Sequence, residues 1–305
     1  MNLEIRKYRS EEIPAILTLL VRCFPDDWAP LVMAGHHELA YRSQSIIALM
    51  NDKIIGNCGV IETPIRYQGQ TNIVAGIGSV AVDPDFRGMG IAKKMLQAGL
   101  KGMKRSGIGL SPLFTDKPAV YEPLGWQVCP LNPALQLTGE LTVSTDNWKI
   151  VQGRPPMELL TSLMKVYRLG WEFDGKVIRD QEYWMRRVLF NAGINTHWIL
   201  HFNHDQLISY GLLDRQPDGT YFLSEAYALP RKEDDWRNLL GMALKFGNGH
   251  MIVALPSNHP LMTVINTSAL TVTLGCDIYG EVLMLNDLNY CGISSSFYWP
   301  YADKF

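Results

Sequence analysis

No stretch of the chain approaches the roughly 18 consecutive apolar residues that a membrane-crossing helix needs. The opening Met1-Asn2-Leu3-Glu4-Ile5-Arg6 has no cationic segment running into an apolar one. No membrane partner and a cytoplasmic location are therefore expected. A charge excess is missing too: 28 Lys and Arg stand against 30 Asp and Glu, so no basic field exists to hold nucleic acid, and no nucleic-acid partner is expected. Cysteine is sparse. Cys23, Cys58, Cys129, Cys276 and Cys291 are odd in number, scattered and without a C-x-x-C pair, which argues for reduced thiols. His197, His201 and His204 straddle the end of an apparent strand, where alternation turns the third away from the first two, so no metal site is expected. Neither G-x-x-x-x-G-K-[ST] nor a G-x-G-x-x-G after a strand occurs, which removes the nucleoside triphosphate and dinucleotide readings.

What the chain does contain is 305 residues at 47% apolar composition, enough for two packed domains. Its most informative stretch is Gly78 to Leu100. Ser79-Val80-Ala81-Val82 is a β-branched run closed by Asp83-Pro84, and proline cannot donate into a sheet ladder, so a strand ends there. Arg87-Gly88-Met89-Gly90 then leads into Ile91, Met95, Leu96 and Leu100, apolar at helical spacing, with Lys93, Lys94, Gln97 and Lys101 on the other face. The open amides and positive dipole at such a helix start suit a phosphate group, and Arg87 adds a cation beside it. On these letters alone, a pyrophosphate site and a mere tight turn at Gly88 and Gly90 both stay open.

The order V-x-P-x-x-R-G-x-G-x-A, here Val82, Pro84, Arg87, Gly88, Gly90 and Ala92, resembles the acetyl-coenzyme A signature of the GNAT acyltransferases. Further on, Ala119 to Trp126 resembles that superfamily's second landmark, a tyrosine, Tyr121, followed by a glycine-aromatic pair, Gly125-Trp126. The resemblance implies an α/β (α+β) fold, a mixed central sheet of GNAT type flanked by helices. It also implies that the backbone of Val80, Ala81 and Val82 holds a pantetheine arm, with the Val80 and Val82 amides polarising the thioester carbonyl. The amides of Arg87, Gly88, Met89, Gly90, Ile91 and Ala92 would take the pyrophosphate, and Tyr121 would be the general acid. The glutamate that many members carry on the central strand falls at Gly76, so that base is absent, and Glu62 and Asp116 are candidates by proximity. A narrower resemblance, to acetyltransferases of the enhanced-intracellular-survival type, rests on the aromatic ending Tyr301-Ala302-Asp303-Lys304-Phe305 and implies a base in the carboxylate of Phe305. The chain departs from that type in being shorter, without its third, sterol-carrier-like domain.

Periodicity predicts strands over 3–8, 45–50, 54–63, 73–82 and 108–114, with helices following Ser10 and the glycine loop. A second helical region is expected over 30–41, with Phe24, Trp28, His36 and His37 as candidate walls of an acceptor pocket. The order of elements then repeats from about residue 146. Setting Ala228-Leu229-Pro230 against Val82-Asp83-Pro84 puts Arg231 to Trp236 where the first copy has its glycine loop. The glycines are gone, and Glu233, Asp234 and Asp235 would repel a pyrophosphate. We therefore expect a GNAT acetyl-CoA-binding catalytic domain over 1–145 and a degenerate GNAT-like domain without the phosphate loop over 146–305. The expected activity is transfer of an acetyl group from acetyl-CoA to a primary amine of a small molecule or peptide. A non-catalytic acyl-CoA-binding or sensor protein is the alternative, and a homo-oligomer stays open.

Overall fold

The computed structural model describes residues 2–25, 46–129, 134–189, 192–229, 233–274 and 281–288. In the first sheet β1 (Leu3–Lys7), β2 (Ile46–Met50), β3 (Lys53–Tyr67) and β4 (Gln70–Val82) pair antiparallel in sequence order. The turns between them have the mirror-image geometry that matches strand twist. Asn51 and Asp52 both take positive φ, 49° and 63°, and so do Gln68 and Gly69, 50° and 73°. Helix α1 (Ile13–Cys23) lays Ile13, Ile16, Leu17 and Leu20 on one face of the sheet, against Ile47, Leu49 and Ala81. After β4, helix α2 (Ile91–Arg105) packs Ile91, Met95, Leu96 and Met103 on the other face, against Ile46, Ala48, Ile55 and Ile77. Alternation along β2 thus feeds both cores. From α2 the chain enters β5 (Leu110–Thr115), parallel to β4, and later β6 (Gln127–Val128).

The second sheet repeats this plan. Its strands are β7 (Leu135–Thr138), β8 (Trp148–Gln152), β9 (Thr196–Asn203), β10 (Gln206–Arg215), β11 (Tyr221–Ala228), β12 (His250–Val253) and β13 (Thr271–Leu274). Helix α3 (Leu160–Leu169) packs on one face, α4 (Glu233–Phe246) links β11 to the parallel β12, and α5 (Pro260–Thr267) follows. The expected repeat is in register: Ile77 pairs with Leu113 in the first sheet, and Leu223, 146 positions after Ile77, pairs with Val253 in the second.

The strand orders, β1-β2-β3-β4-β5-β14-β6 and β8-β9-β10-β11-β12-β7-β13, reveal an exchange. β14 (Val282–Asp287), almost at the end of the chain, lies between β5 and β6 of the first sheet, while β7, before residue 145, lies between β12 and β13 of the second. Hydrogen bonding therefore crosses the expected boundary between 1–145 and 146–305 twice. Alternation along a strand sets which face each side chain takes, and carries no information on which sheet the strand joins. One hydrophobic cluster seals the arrangement, with Ile65 and Val74 of the first sheet and Leu283 and Leu285 of β14 packed with Leu163, Trp184, Trp198 and Tyr210. Backbone bonds from Arg66 N to Lys176 O (2.8 Å) and Ile178 N to Pro64 O (2.8 Å) add a further seam. Beside it Arg179 and Glu225, both buried, meet at 2.6 Å, and Tyr210 donates to the same carboxylate. Among the described residues no helix is long and apolar enough to cross a membrane.

Residues 1–145 expressed alone lack β14, so β5 and β6 are left with bare edges. That fragment should aggregate or show no cooperative melting by circular dichroism, whereas the full chain melts cooperatively. Glu225→Leu removes the carboxylate that Arg179 and Tyr210 share, and chemical unfolding should show a loss of about 3–5 kcal/mol.

Candidate active site

Strand β4 carries a bulge. Asn57 pairs with Ala81 and Gly59 with Gly78, so Ser79 and Val80 together face Cys58. Ser79 takes φ 51°, and its carbonyl accepts a hydrogen bond from Asn57 Nδ2 at 2.9 Å. Gly59 is required here, since a Cβ on it would lie 2.8 Å from the Gly78 carbonyl oxygen. On the other side of β4, pairing with β5 is confined to Ile77 and Leu113. Beyond that pair the two strands part. Asp83 N–H donates to Ile55 O at 2.8 Å, toward β3, so by alternation the N–H groups of Val82 and Val80 face the opening.

The chain leaves β4 through an anchored turn. Asp83 is 2% exposed; its Oδ1 accepts from the Asp85 N–H at 3.1 Å, and its Oδ2 meets Arg22 Nη1 at 2.7 Å and Lys53 Nζ at 3.2 Å. Arg22, in the last turn of α1, also holds Asp85 at 2.8 Å. Burial pulls the Asp83 carboxyl upward, but the Asp85 amide, Lys53 and Arg22 together pull it below its ordinary value. Arg87 Nε donates to Val82 O at 3.2 Å. Gly88 and Gly90 then take φ 79° and 70°, where a side chain is strained although open space surrounds both. Arg87 to Gly90 are exposed, the N-cap Gly90 offers no side chain, and the first turn of α2 has no acid. The result is an uncapped, solvent-open helix start.

Tyr121 stands between two short 3₁₀ turns, Pro118–Val120 and Glu122–Leu124. Its ring meets Trp126 edge-on at 6.1 Å, and Trp126 is fixed by a 2.9 Å bond from its Nε1 to Ser111 O. Gly125, at φ 99°, lets the chain reverse between them. Burial, reinforced by Cys58, pushes the phenol up to about 12, with a hydrogen bond to Thr115 opposing. Cys58 on β3 and Thr115 at the end of β5 flank the parted segment of β4, so Tyr121 overlooks the bulge. Asn286 of β14 donates from Nδ2 to Leu124 O at 3.1 Å and closes the turn that carries Tyr121.

The equivalent opening in the second sheet is filled. Past Leu223 and Val253 the gap is occupied by Trp171, Phe173 and His259, leaving a cavity of 20 Å³. Burial pushes the His259 imidazole down to about 3, so it stays neutral there. At the start of α4 stand Asp234 and Asp235 where the first copy has bare amides.

Val80, Ala81 and Val82 thus close β4, Arg87, Gly88, Met89 and Gly90 form the exposed loop, Ile91 and Ala92 open α2, and Tyr121 stands near Cys58 and Thr115, while the side chains of Ala81 and Ile91 are buried in the cores on the two faces of the sheet. Gly76 brings no side chain, Glu62 is half-buried on β3, and Asp116 is exposed beside Lys117 at 3.7 Å. Phe305, Trp28, His36, His37 and the region 30–41 lie outside the described residues, while Phe24 packs at the edge of the α1 core. Sequence reasoning missed Asp83 as the anchor of the loop, although an aspartate before proline at a helical turn is a capping signal. It also missed Asn286, for which no local signal exists.

Residues 4–129 match the family model described as the acetyltransferase (GNAT) domain. The uncharacterized N-acetyltransferase YhbS of Escherichia coli K12 is 26% identical over 118 residues, 38% of this chain and 69% of that one. Among solved structures, a probable N-acyltransferase of Enterococcus faecalis V583 superposes with a TM-score of 0.75 at 17% identity, covering 94% of this chain and 73% of its own. Eis1 of Mycobacterium abscessus gives 0.65 at 16%, covering 94% and 74%. The opening in the first sheet lies within the part of the chain that is similar to a GNAT acetyltransferase domain. Over nearly its whole length the chain shares the two-sheet fold of those solved structures.

Asp83 is depressed in the folded state, so its contribution to stability is present above about pH 4 and is lost as pH falls through its folded value. Unfolding of wild type and Asp83→Asn should differ at neutral pH, with the gap closing below about pH 4.

Proposed function

We propose that the chain transfers an acetyl group from acetyl-coenzyme A to a primary amine of a small molecule or peptide. The observation that carries this reading is the coincidence of the parted β4 and β5, the uncapped loop at one end of the opening and a protonated phenol over its middle. The pyrophosphate is held by the amides of Arg87 to Ala92, and the Arg87 side chain adds positive charge. The pantetheine arm lies along Val80 to Val82. The Val80 and Val82 N–H groups hold the arm and, where the thioester carbonyl meets them, polarise it without reorganisation, because the bulge has fixed them beforehand.

Attack by the neutral amine nitrogen gives a tetrahedral centre. Its collapse breaks the carbon–sulfur bond and leaves the electron pair on sulfur, which takes a proton from Tyr121 Oη. A phenol at about 12 stays protonated at every working pH and can donate only to a strong base held beside it, which a nascent thiolate is. Gly76 offers no carboxylate, so the amine's own proton leaves by another route, with Glu62 and Asp116 as candidates.

The alternative, a protein that binds acyl-CoA without turning it over, predicts that Tyr121 is dispensable. Tyr121→Phe should lower kcat by about 100-fold while titration calorimetry gives the same affinity for acetyl-CoA. Equal turnover in both proteins would sink the enzymatic role of the phenol. In the wild type, kcat should also show no alkaline fall from Tyr121 below about pH 10.

A further inference from the structure

Asn57 lies on β3 directly between Ile47 of β2 and Ala81 of β4. Both neighbours belong to the apolar cluster under α1, with Ile16, Leu17 and Leu20, and Asn57 itself is fully buried. Its amide is only half used. Nδ2 donates to Ser79 O at 2.9 Å, while Oδ1 is buried without a hydrogen-bond partner. Turning the amide over would set two carbonyl oxygens against each other, so Ser79 decides which way it faces. A buried acceptor left unpaired costs stability, and a leucine, with the same branched outline, would avoid that cost. What the residue supplies at this position is therefore its Nδ2.

That donor acts on a single peptide unit. Ser79, at φ 51°, is the one residue of β4 in the left-handed region, where a side chain is strained and the backbone needs holding. In a planar trans peptide the carbonyl of one residue and the N–H of the next point in opposite directions. Drawing Ser79 O toward Asn57 on β3 therefore turns the Val80 N–H away from β3, to the side on which β4 and β5 part. The second sheet supplies the contrast. The spacing of 146 that relates Ile77 to Leu223 also relates Ser79 to Glu225 and Ala81 to Tyr227, and the residue opposite Tyr227, as Asn57 is opposite Ala81, is Tyr210. The register shifts there too, yet neither Ser224 nor Glu225 takes a positive φ. Tyr210 donates to the Glu225 carboxylate, so a side chain meets a side chain where Asn57 meets the backbone. The plugged copy thus keeps the bulge and lacks the device that turns a peptide.

We propose that Asn57 is a positioning residue, which through Ser79 aims the Val80 N–H at the thioester carbonyl of the bound acyl donor. This rests on the acyltransferase reading above and deepens it by naming what sets the direction of the polarising amide. Attack on the thioester carbon moves the carbonyl electron pair onto oxygen, and a donor already aimed at that oxygen stabilises the charge without having to move. Asn57 touches neither substrate nor reacting atoms. Its cost to the apolar cluster is offset by one amide held ready.

The test is infrared difference spectroscopy of the full chain with acetyl-CoA whose acetyl carbonyl is isotope-labelled, alongside titration calorimetry. Bound to wild type, the labelled carbonyl stretch should fall below its frequency in solution, because the amide polarises the bond. Asn57→Leu removes the donor and should lose most of that shift while binding coenzyme A within about threefold of wild type, which also shows that the variant folds. A merely structural asparagine would alter melting temperature or affinity and leave the stretch of the bound thioester where it was, and that result overturns the proposal. Asn57→Ala, which lacks the same donor, is read in the same way if the leucine variant does not fold. If neither folds, wild type with isotope-labelled valine decides. The Val80 amide proton should then shift with acetyl-CoA and not with coenzyme A, which has no acyl carbonyl, and an equal response to both overturns the proposal. Wild type that binds no acetyl-CoA would instead strike the reading beneath it.

Discussion

The site depends on the loss of a strand partner. β4 is paired with β3 along its length but meets β5 only at Ile77, so a strand in the middle of a sheet presents unspent backbone donors. Such groups are costly to leave unpaired away from water. The bulge at Ser79 and Val80 fixes their direction, and on the proposed function a thioester arm would take the place of the missing strand. Recognition on that proposal would be backbone to ligand along the arm and backbone to phosphate at the loop, which asks no particular chemistry of the side chains of Val80, Ala81 and Val82.

Fixed donors need fixed surroundings, and two polar anchors supply them. Asp83 ties the exit of β4 to α1 through Arg22 and to the β2–β3 turn through Lys53. Asn286 ties the Tyr121 turn to β14. Phosphate loop and phenol are thus each bolted to a different part of the chain, one to its beginning and one to its end. The second half of the chain contributes a second sheet and, to the first, its closing strand. Its own opening is plugged by Trp171, Phe173 and His259.

Much of this was legible in the letters because it is local. Pro84 ends a strand, Gly88 and Gly90 demand positive φ, and Ile91, Met95 and Leu96 mark a buried stripe. The bounds of α2 follow from those alone. The repeat was legible for the same reason, since it preserves a strand, a proline and a helix start while replacing glycines with Glu233, Asp234 and Asp235. The exchange of β7 and β14 was not. A short alternating segment says that it will pair, and the partner is chosen by shape and core packing across 167 residues, from Thr115 to Val282. Asn286 is invisible for that reason, being a polar residue whose purpose appears only beside Leu124.

That separation has a consequence for synthesis. β5 is complete once Thr115 has emerged, yet the strand that covers its edge begins at Val282. At about 5–20 residues per second the ribosome needs on the order of ten to thirty seconds to deliver it. Throughout that interval the nascent first sheet exposes a naked edge, and the seat for the phenol turn has no back wall. The first sheet can be completed only after Val282 to Asp287 has emerged, which gives cells a reason to shelter this chain while it is being made.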